Sequence, residues 1–202
     1  MQAANANVLV PTLIRCVLAC VAMAGAASAQ SGRPVPNGRV ESGTLSFDGH
    51  ATAGDFVGRT TDVSGQVSGA PELSGIRGWV EAPVRTLKTG NSRRDKDLNK
   101  SMESEKYPVL RFELTRATPT GGSADSVSVT LHGGLSIHGV TREVDLPATV
   151  QFTASGARVR TDFPVNLRDY HIGGLSKMLG MLKMYEKIEV HTDLTFQLER
   201  RS

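Results

Sequence analysis

From residue 45 onward, apolar and polar side chains alternate with a period of two in eight separate runs. Successive side chains leave a strand on opposite faces, so this period predicts strands with one buried face. The first run carries Leu45, Phe47 and Ala51, and the second carries Val57, Val63 and Val67 across a turn at Gly54-Asp55. Ile76, Val80, Ala82 and Val84 form the third, and Leu110, Phe112 and Leu114 the fourth. The fifth is the longest, with Val127, Val129, Leu131, Leu135 and Ile137 all of one parity and Gly133 keeping the register. Val144, Leu146, Ala148, Val150 and Phe152 make the sixth; Val159, Phe163, Val165 and Leu167 the seventh; Ile188, Val190, Leu194, Phe196 and Leu198 the eighth.

His138-Gly139 and Ser155-Gly156 suit tight hairpins, so strands adjacent in sequence are expected to be antiparallel neighbours. The fold class that follows is all-β, an eight-stranded antiparallel up-and-down barrel that buries one face and removes exposed edges by closure. A sandwich would need longer crossovers than the chain offers. Two segments look helical. Ser92 followed by Asp95 resembles a capping box opening Arg93 to about Glu103, with Pro108 ending what precedes it. Leu175, Met178, Leu179 and Leu182 follow helical spacing over Leu175 to Met184, though that stretch could equally be extended. Such helices would cap the barrel ends.

Period two alone does not say which way the apolar face points, because an outer-membrane barrel alternates as well. Composition separates the two. Aromatic residues are only 5% of the chain and Trp79 is the sole tryptophan, too few for girdles at two membrane interfaces. The opposite face carries Arg111, Glu113, Arg158, Arg160, Glu189 and Asp193, which suit water outside a small barrel. The apolar side chains are therefore expected inside.

The amino-terminal segment predicts export. Arg15 precedes an apolar run from Cys16 to Ala27, and Ala27-Ser28-Ala29 satisfies the small-x-small cleavage rule, giving a signal peptide over 1–29. Residues 30–40 are rich in Pro, Gly and polar side chains and read as a flexible linker, leaving 41–202 as the folded domain. The apolar run is too short to span a bilayer, and no later stretch reaches the roughly 20 residues a spanning helix needs. The expected location is the periplasm. Both cysteines, Cys16 and Cys20, fall inside the leader, so the mature domain must be held by burial instead of disulfides. Acylation at Cys20 is the competing reading, disfavoured because Arg15 leaves little apolar stretch before it.

Net charge is +3 and the cations are interspersed with acids, which gives no footprint for nucleic acid. His50, His132, His138 and His191 have outer-face parity and no ligand spacing, so no metal or cofactor is expected. There is no nucleophile elbow and no inward carboxylate pair, so the reading is of a protein without catalytic residues. Ten inward positions remain as a candidate wall: Leu110, Phe112, Leu114, Leu131, Leu135, Ile137, Val150, Phe152, Val165 and Phe196. On sequence alone they either fill a closed core or line a cavity. Lys88, Arg93 and Arg94 lie near a helix start, where they could face a phosphate head group or serve structure only. Met178, Met181 and Met184 could form an adaptable lid or ordinary core.

Several of these segments together resemble the YceI-like family of polyisoprenoid-binding, lipocalin-like periplasmic proteins. They are Leu135-Ser136-Ile137-His138-Gly139-Val140-Thr141-Arg142, Thr86-Leu87-Lys88-Thr89-Gly90-Asn91 with Arg94-Asp95 after it, and Tyr107-Pro108 leading to Phe112. The resemblance covers essentially the mature domain. It implies an elongated cavity that takes an isoprenoid-type or other amphiphilic lipid, and it favours the cavity over the closed core. The chain departs from the family pattern at Asp169-Tyr170-His171 and in the Met-rich stretch after it, so the resemblance leaves ligand length open. A ligand-free structural or stress-response module that binds another envelope protein is the alternative expectation.

Overall fold

The computed structural model describes residues 34–52, 54–173, 176–177, 182–183 and 185–199, with only the backbone for 176–177 and 182–183. The leader, Leu175, Met178, Met181 and Met184 lie outside the described residues.

Long strands follow the alternating runs. They are β1 (Gly38–Gly49), β2 (Phe56–Thr60), β3 (Ser64–Ser68), β4 (Arg77–Pro83), β5 (Val109–Gly122), β6 (Ser126–Ile137), β7 (Val140–Phe152) and β8 (Gly156–Asn166), then β9 (Ser176–Lys177), β10 (Leu182–Lys183) and β11 (Lys187–Leu198). Sequence neighbours pair antiparallel from β3 to β8; β11 follows β8, and β1 pairs with β11 to close the sheet. β2 and β3 keep one register against β1, from Gly49↔Phe56 down to Gly38↔Val67, and so act as one interrupted strand. The result is a closed barrel of eight antiparallel strands. β9 and β10 pair with each other, so the described part of the segment read as helical or extended is extended.

The apolar faces point inward. Phe47, Leu135, Leu146, Phe163 and Ile188 form one buried cluster, while Val127, Val129, Ala148, Val150 and Ala157 form another nearer the opposite end. Outside, Arg158 and Arg160 both reach Asp193, and Arg111 bridges Glu81 and Glu113. This is the inverse of the oily exterior a membrane barrel presents.

Val57 departs from expectation. It lies on the outside, 52% exposed, while Gly58 and Thr60 are the buried positions of β2 and Gly65 that of β3. The interruption at 61–63 switches the inward parity from even to odd, so Val57 and Val67 cannot share a face. A register shift between Val40 and Ser42 makes the matching switch in β1.

Helix α1 spans Ser92–Ser101, and its cap is Asn91, not Ser92. The Asn91 side chain accepts from the backbone N–H groups of Arg93 and Arg94, which satisfies two otherwise orphaned donors. Asp95 does not reach back to the cap; its carboxylate accepts from the backbone N–H and hydroxyl of Thr89. Leu98 and Met102 of this segment pack onto the cluster containing Ile137, Val165 and Leu167, so α1 covers the end of the barrel that we call upper. Val84 and Leu167, read as strand residues, sit in single 3-10 turns at that end and are still buried. His138 and Gly139 make the β6–β7 turn with φ of 53° and 75°, as a two-residue hairpin demands. A Cβ at position 139 would stand 2.3 Å from the Tyr107 ring, so glycine is required there twice over.

The lower end is closed differently. Val35 is buried and exchanges two backbone hydrogen bonds of 2.9 Å with Ala70, and Asn37 accepts from the Gly69 N–H. Ordered structure thus reaches back to Val35, and β1 begins at Gly38, within the stretch read as linker.

Candidate functional site: an apolar cavity inside the barrel

Between these two closures the inward side chains leave a cavity of about 150 Å³. Eight of the ten positions picked out by alternation border it: Leu110, Phe112 and Leu114 from β5, Leu131 and Leu135 from β6, Val150 and Phe152 from β7, and Phe196 from β11. Ile137 and Val165 do not. They point inward as expected but lie in the packed upper cluster with Leu167, Tyr170 and Ile172. Alternation reports which face a residue occupies but not its height along the barrel axis, and height is what separates these two from the rest.

The cavity also touches residues that the sequence reading passed over. Val35 and Leu73 reach it from the lower closure, and Thr161 and Thr192 reach it from β8 and β11. Thr161 falls between Val159 and Phe163, and Thr192 between Val190 and Leu194, so both hold inward parity. A polar residue in an apolar series was the available signal.

Among the described residues, the buried polar or charged ones are Thr60, Ser104 and Thr161, all neutral hydroxyls. Glu81 and Arg111 also border the cavity, but they pair at 2.9 Å and stay partly exposed, so an apolar chain entering it strands no unpaired charge in low dielectric. A cavity of this size matches one that accepts benzene, so a long chain requires wall side chains to move aside.

The three candidate cations are not on the cavity lining. Lys88 pairs through its backbone with Arg59, and its side chain is exposed. Arg94 lays its guanidinium 4.2 Å from the Phe56 ring centroid, a cation–π contact beside the Phe47–Phe56 edge-to-face pair. Arg93 is exposed at the first turn of α1. All three lie around the upper closure. Hydrogen bonds from Thr89 hold the Asp95 carboxyl below its ordinary range; partial burial opposes this, and Lys88 and Arg94 add to it.

Three histidines pair with carboxylates on the outer face. His132 Nδ1 lies 2.6 Å from Asp145 Oδ1, and His50 Nδ1 lies 2.8 Å from Asp55 Oδ1. His191 sits between Asp162 at 2.6 Å and Asp48 at 3.4 Å, joining β8, β11 and β1. The hydrogen bond that the protonated His191 donates to Asp162 raises its pKa, burial opposes, and Asp48 reinforces it. His138 is an exception to the outer-face parity. Its side chain is only 10% exposed, packed edge-on against Tyr107 with Nδ1 3.2 Å from the Tyr170 carbonyl, because turn residues at positive φ leave the strand alternation. No group of three His, Cys, Asp or Glu side chains able to hold a metal occurs among the described residues.

A family model described as the YceI-like domain matches residues 39–196. Three solved structures share the fold at low identity. BcnA of Burkholderia cenocepacia is 16% identical with a TM-score of 0.65, over 76% of this chain and 95% of that one. A polyisoprenoid-binding domain from Saccharophagus degradans, implicated in plant cell wall breakdown, is also 16% identical with a TM-score of 0.65, over 82% and 99%. The YceI protein of Campylobacter jejuni is 17% identical with a TM-score of 0.57, over 71% and 85%. Among curated proteins, none matches the chain.

Proposed function

Given that this chain belongs to the YceI-like domain family, we propose that its barrel binds and carries a long apolar amphiphile of the isoprenoid type in the periplasm. The observation that carries this reading is the cavity inside the barrel, bordered mainly by apolar side chains, among them Phe112, Phe152 and Phe196. Each methylene withdrawn from water contributes about 0.8 kcal/mol, while association costs several kcal/mol, so affinity must come from many weak contacts along a continuous wall. The polyisoprenoid-binding domain from Saccharophagus degradans, which shares the fold, supports the choice of ligand class. The periplasmic location rests on the leader-like segment 1–29. In this reading the protein holds its cargo and performs no reaction on it.

Native mass spectrometry of the protein taken from its own cell envelope tests the reading. The expected result is a reproducible extra mass that extracts into organic solvent and is absent from a Phe112→Asp variant whose circular dichroism is unchanged. A barrel that is always empty, or uptake unchanged in the folded variant, overturns it. Ile137→Asp is a poor test, because Ile137 belongs to the packed cluster and a charge there breaks the fold. Edman sequencing of the envelope form should begin near Gln30; a start at Met1 refutes export by cleavage.

A further inference from the structure

The barrel wall is hydrogen-bonded strand to strand, so the cavity exchanges with its surroundings where the fewest contacts have to break. The two ends differ in this. At the upper end Ile137, Val165, Leu167, Tyr170 and Ile172 pack in one large buried cluster under α1. At the lower end the buried cluster among the described residues is Val35, Ile76 and Ala117, and both Val35 and Ile76 border the cavity. Val35 comes to that end on a strip of chain, residues 34–36, that is bound lightly. Pro34 and Pro36 have no N–H to give, so Val35 holds the backbone donor of the strip. Its N–H donates to the Ala70 carbonyl and its own carbonyl accepts from the Ala70 N–H, both at 2.9 Å. Asn37, next along, is tied more firmly: its Oδ1 accepts from the Gly69 N–H at 2.9 Å and its carbonyl accepts from the Glu199 N–H at 2.8 Å.

We propose that residues 34–36 are a hinged strap, which lifts about Asn37 to let cargo pass through the lower end and reseats Val35 to seal the hollow behind it. This deepens the carrier reading and rests on it. Lifting the strap releases two backbone hydrogen bonds and one valine side chain, whereas the upper end must give up a whole packed cluster, so the lower closure opens first. Gly69 fits the same role. A Cβ there would stand 2.3 Å from the Val35 carbonyl oxygen and 2.6 Å from the Pro36 carbonyl carbon, so the strap lies flat only over glycine. The backbone at Gly69 is not left-handed, so alanine is accommodated there once the strap has lifted.

Protein purified from its own cell envelope is loaded with the fluorescent probe N-phenyl-1-naphthylamine and diluted into buffer, where freed probe turns dark. Val35→Cys with Ala70→Cys locks the strap, since hydrogen-bonded antiparallel partners stand about 5.5 Å apart at Cα, within disulfide reach. The chain has no native cysteine beyond residue 29 to interfere. Release and capture should both slow about tenfold or more in the oxidised form and recover on reduction, leaving equilibrium affinity unchanged. Gly69→Ala, folded by circular dichroism, should release the probe about tenfold faster than wild type, the effect of losing two hydrogen bonds. Equal rates in the oxidised and reduced forms overturn the strap while leaving carriage intact, and place the passage elsewhere, such as the break at 61–63. A Gly69→Ala variant that releases like wild type overturns it too. If wild-type protein takes up no probe, carriage fails and the strap with it.

Discussion

His191 illustrates how much of a surface depends on partners brought by the register. The imidazole lies between Asp162 and Asp48 at the seam where β8, β11 and β1 meet. Its folded-state pKa is raised above the ordinary value of about 6.5, so the pairing contributes stability that is full below that value and is lost as pH rises through the raised one. Melting temperature should therefore decline as pH climbs above about 6.5, and His191→Gln should remove that slope; an unchanged slope refutes the pairing. The side chain is well exposed, so added salt should weaken the effect. Parity alone placed His191 outside, but its two carboxylates come from positions 29 and 143 residues away and needed the closed barrel to be seen. Thr161 was legible in a different way, as a hydroxyl at an inward position, and was missed because the reading collected only apolar side chains.

Single elements follow local rules that the sequence states unevenly. The long strands are announced by many residues each, whereas α1 depends on one cap. Asn91→Ala should cost about 1 kcal/mol in chemical denaturation, the usual loss when a cap side chain is removed, while Ser92→Ala should change little. The reverse ranking would restore Ser92 as the cap. Asp95 shows why the motif misled: a carboxylate three residues after a serine can turn outward to Thr89 just as well as back to the cap. The interrupted strand β2–β3 is the second lesson. Its ladder with β1 stops between Leu45↔Thr60 and Arg39↔Gln66. Backbone amides of residues 61–63 should exchange with deuterium faster than those of β6, which pairs along its whole length on β7. Equal protection would mean the seam is as firmly bonded as the rest. Nothing in the second run marks the parity switch that sends Val57 outward, since valines occur on both sides of it.

At the level of the molecule, the barrel is two regions stacked along one axis. The upper part is solid, with Ile137, Val165, Leu167 and Tyr170 buried together; the hollow begins near Leu135 and Leu146 and runs to the lower closure. Truncation should expose this division. Ile137→Ala is expected to cost about 2–5 kcal/mol in urea melts, as for other packed aliphatic residues. Leu114→Ala, in a half-buried position already bordering space, should cost clearly less. Equal losses would argue for uniform packing from top to bottom. The closed barrel and the inward apolar face were legible because alternation, hairpin turns and scarce aromatics all converged on them. The boundary between solid and hollow was not, because it depends on how side-chain volumes from all eight strands add up at each level.

Val35 gives the vessel a handle. Because that residue is stitched to Ala70 at the lower rim, anything joined to the chain just ahead of Pro34 emerges at that rim, beside the hollow, and far from α1. A bulky fusion partner at the amino end would crowd the bottom of the cask, whereas a label on Lys96 or Lys100 of α1 would ride on its roof.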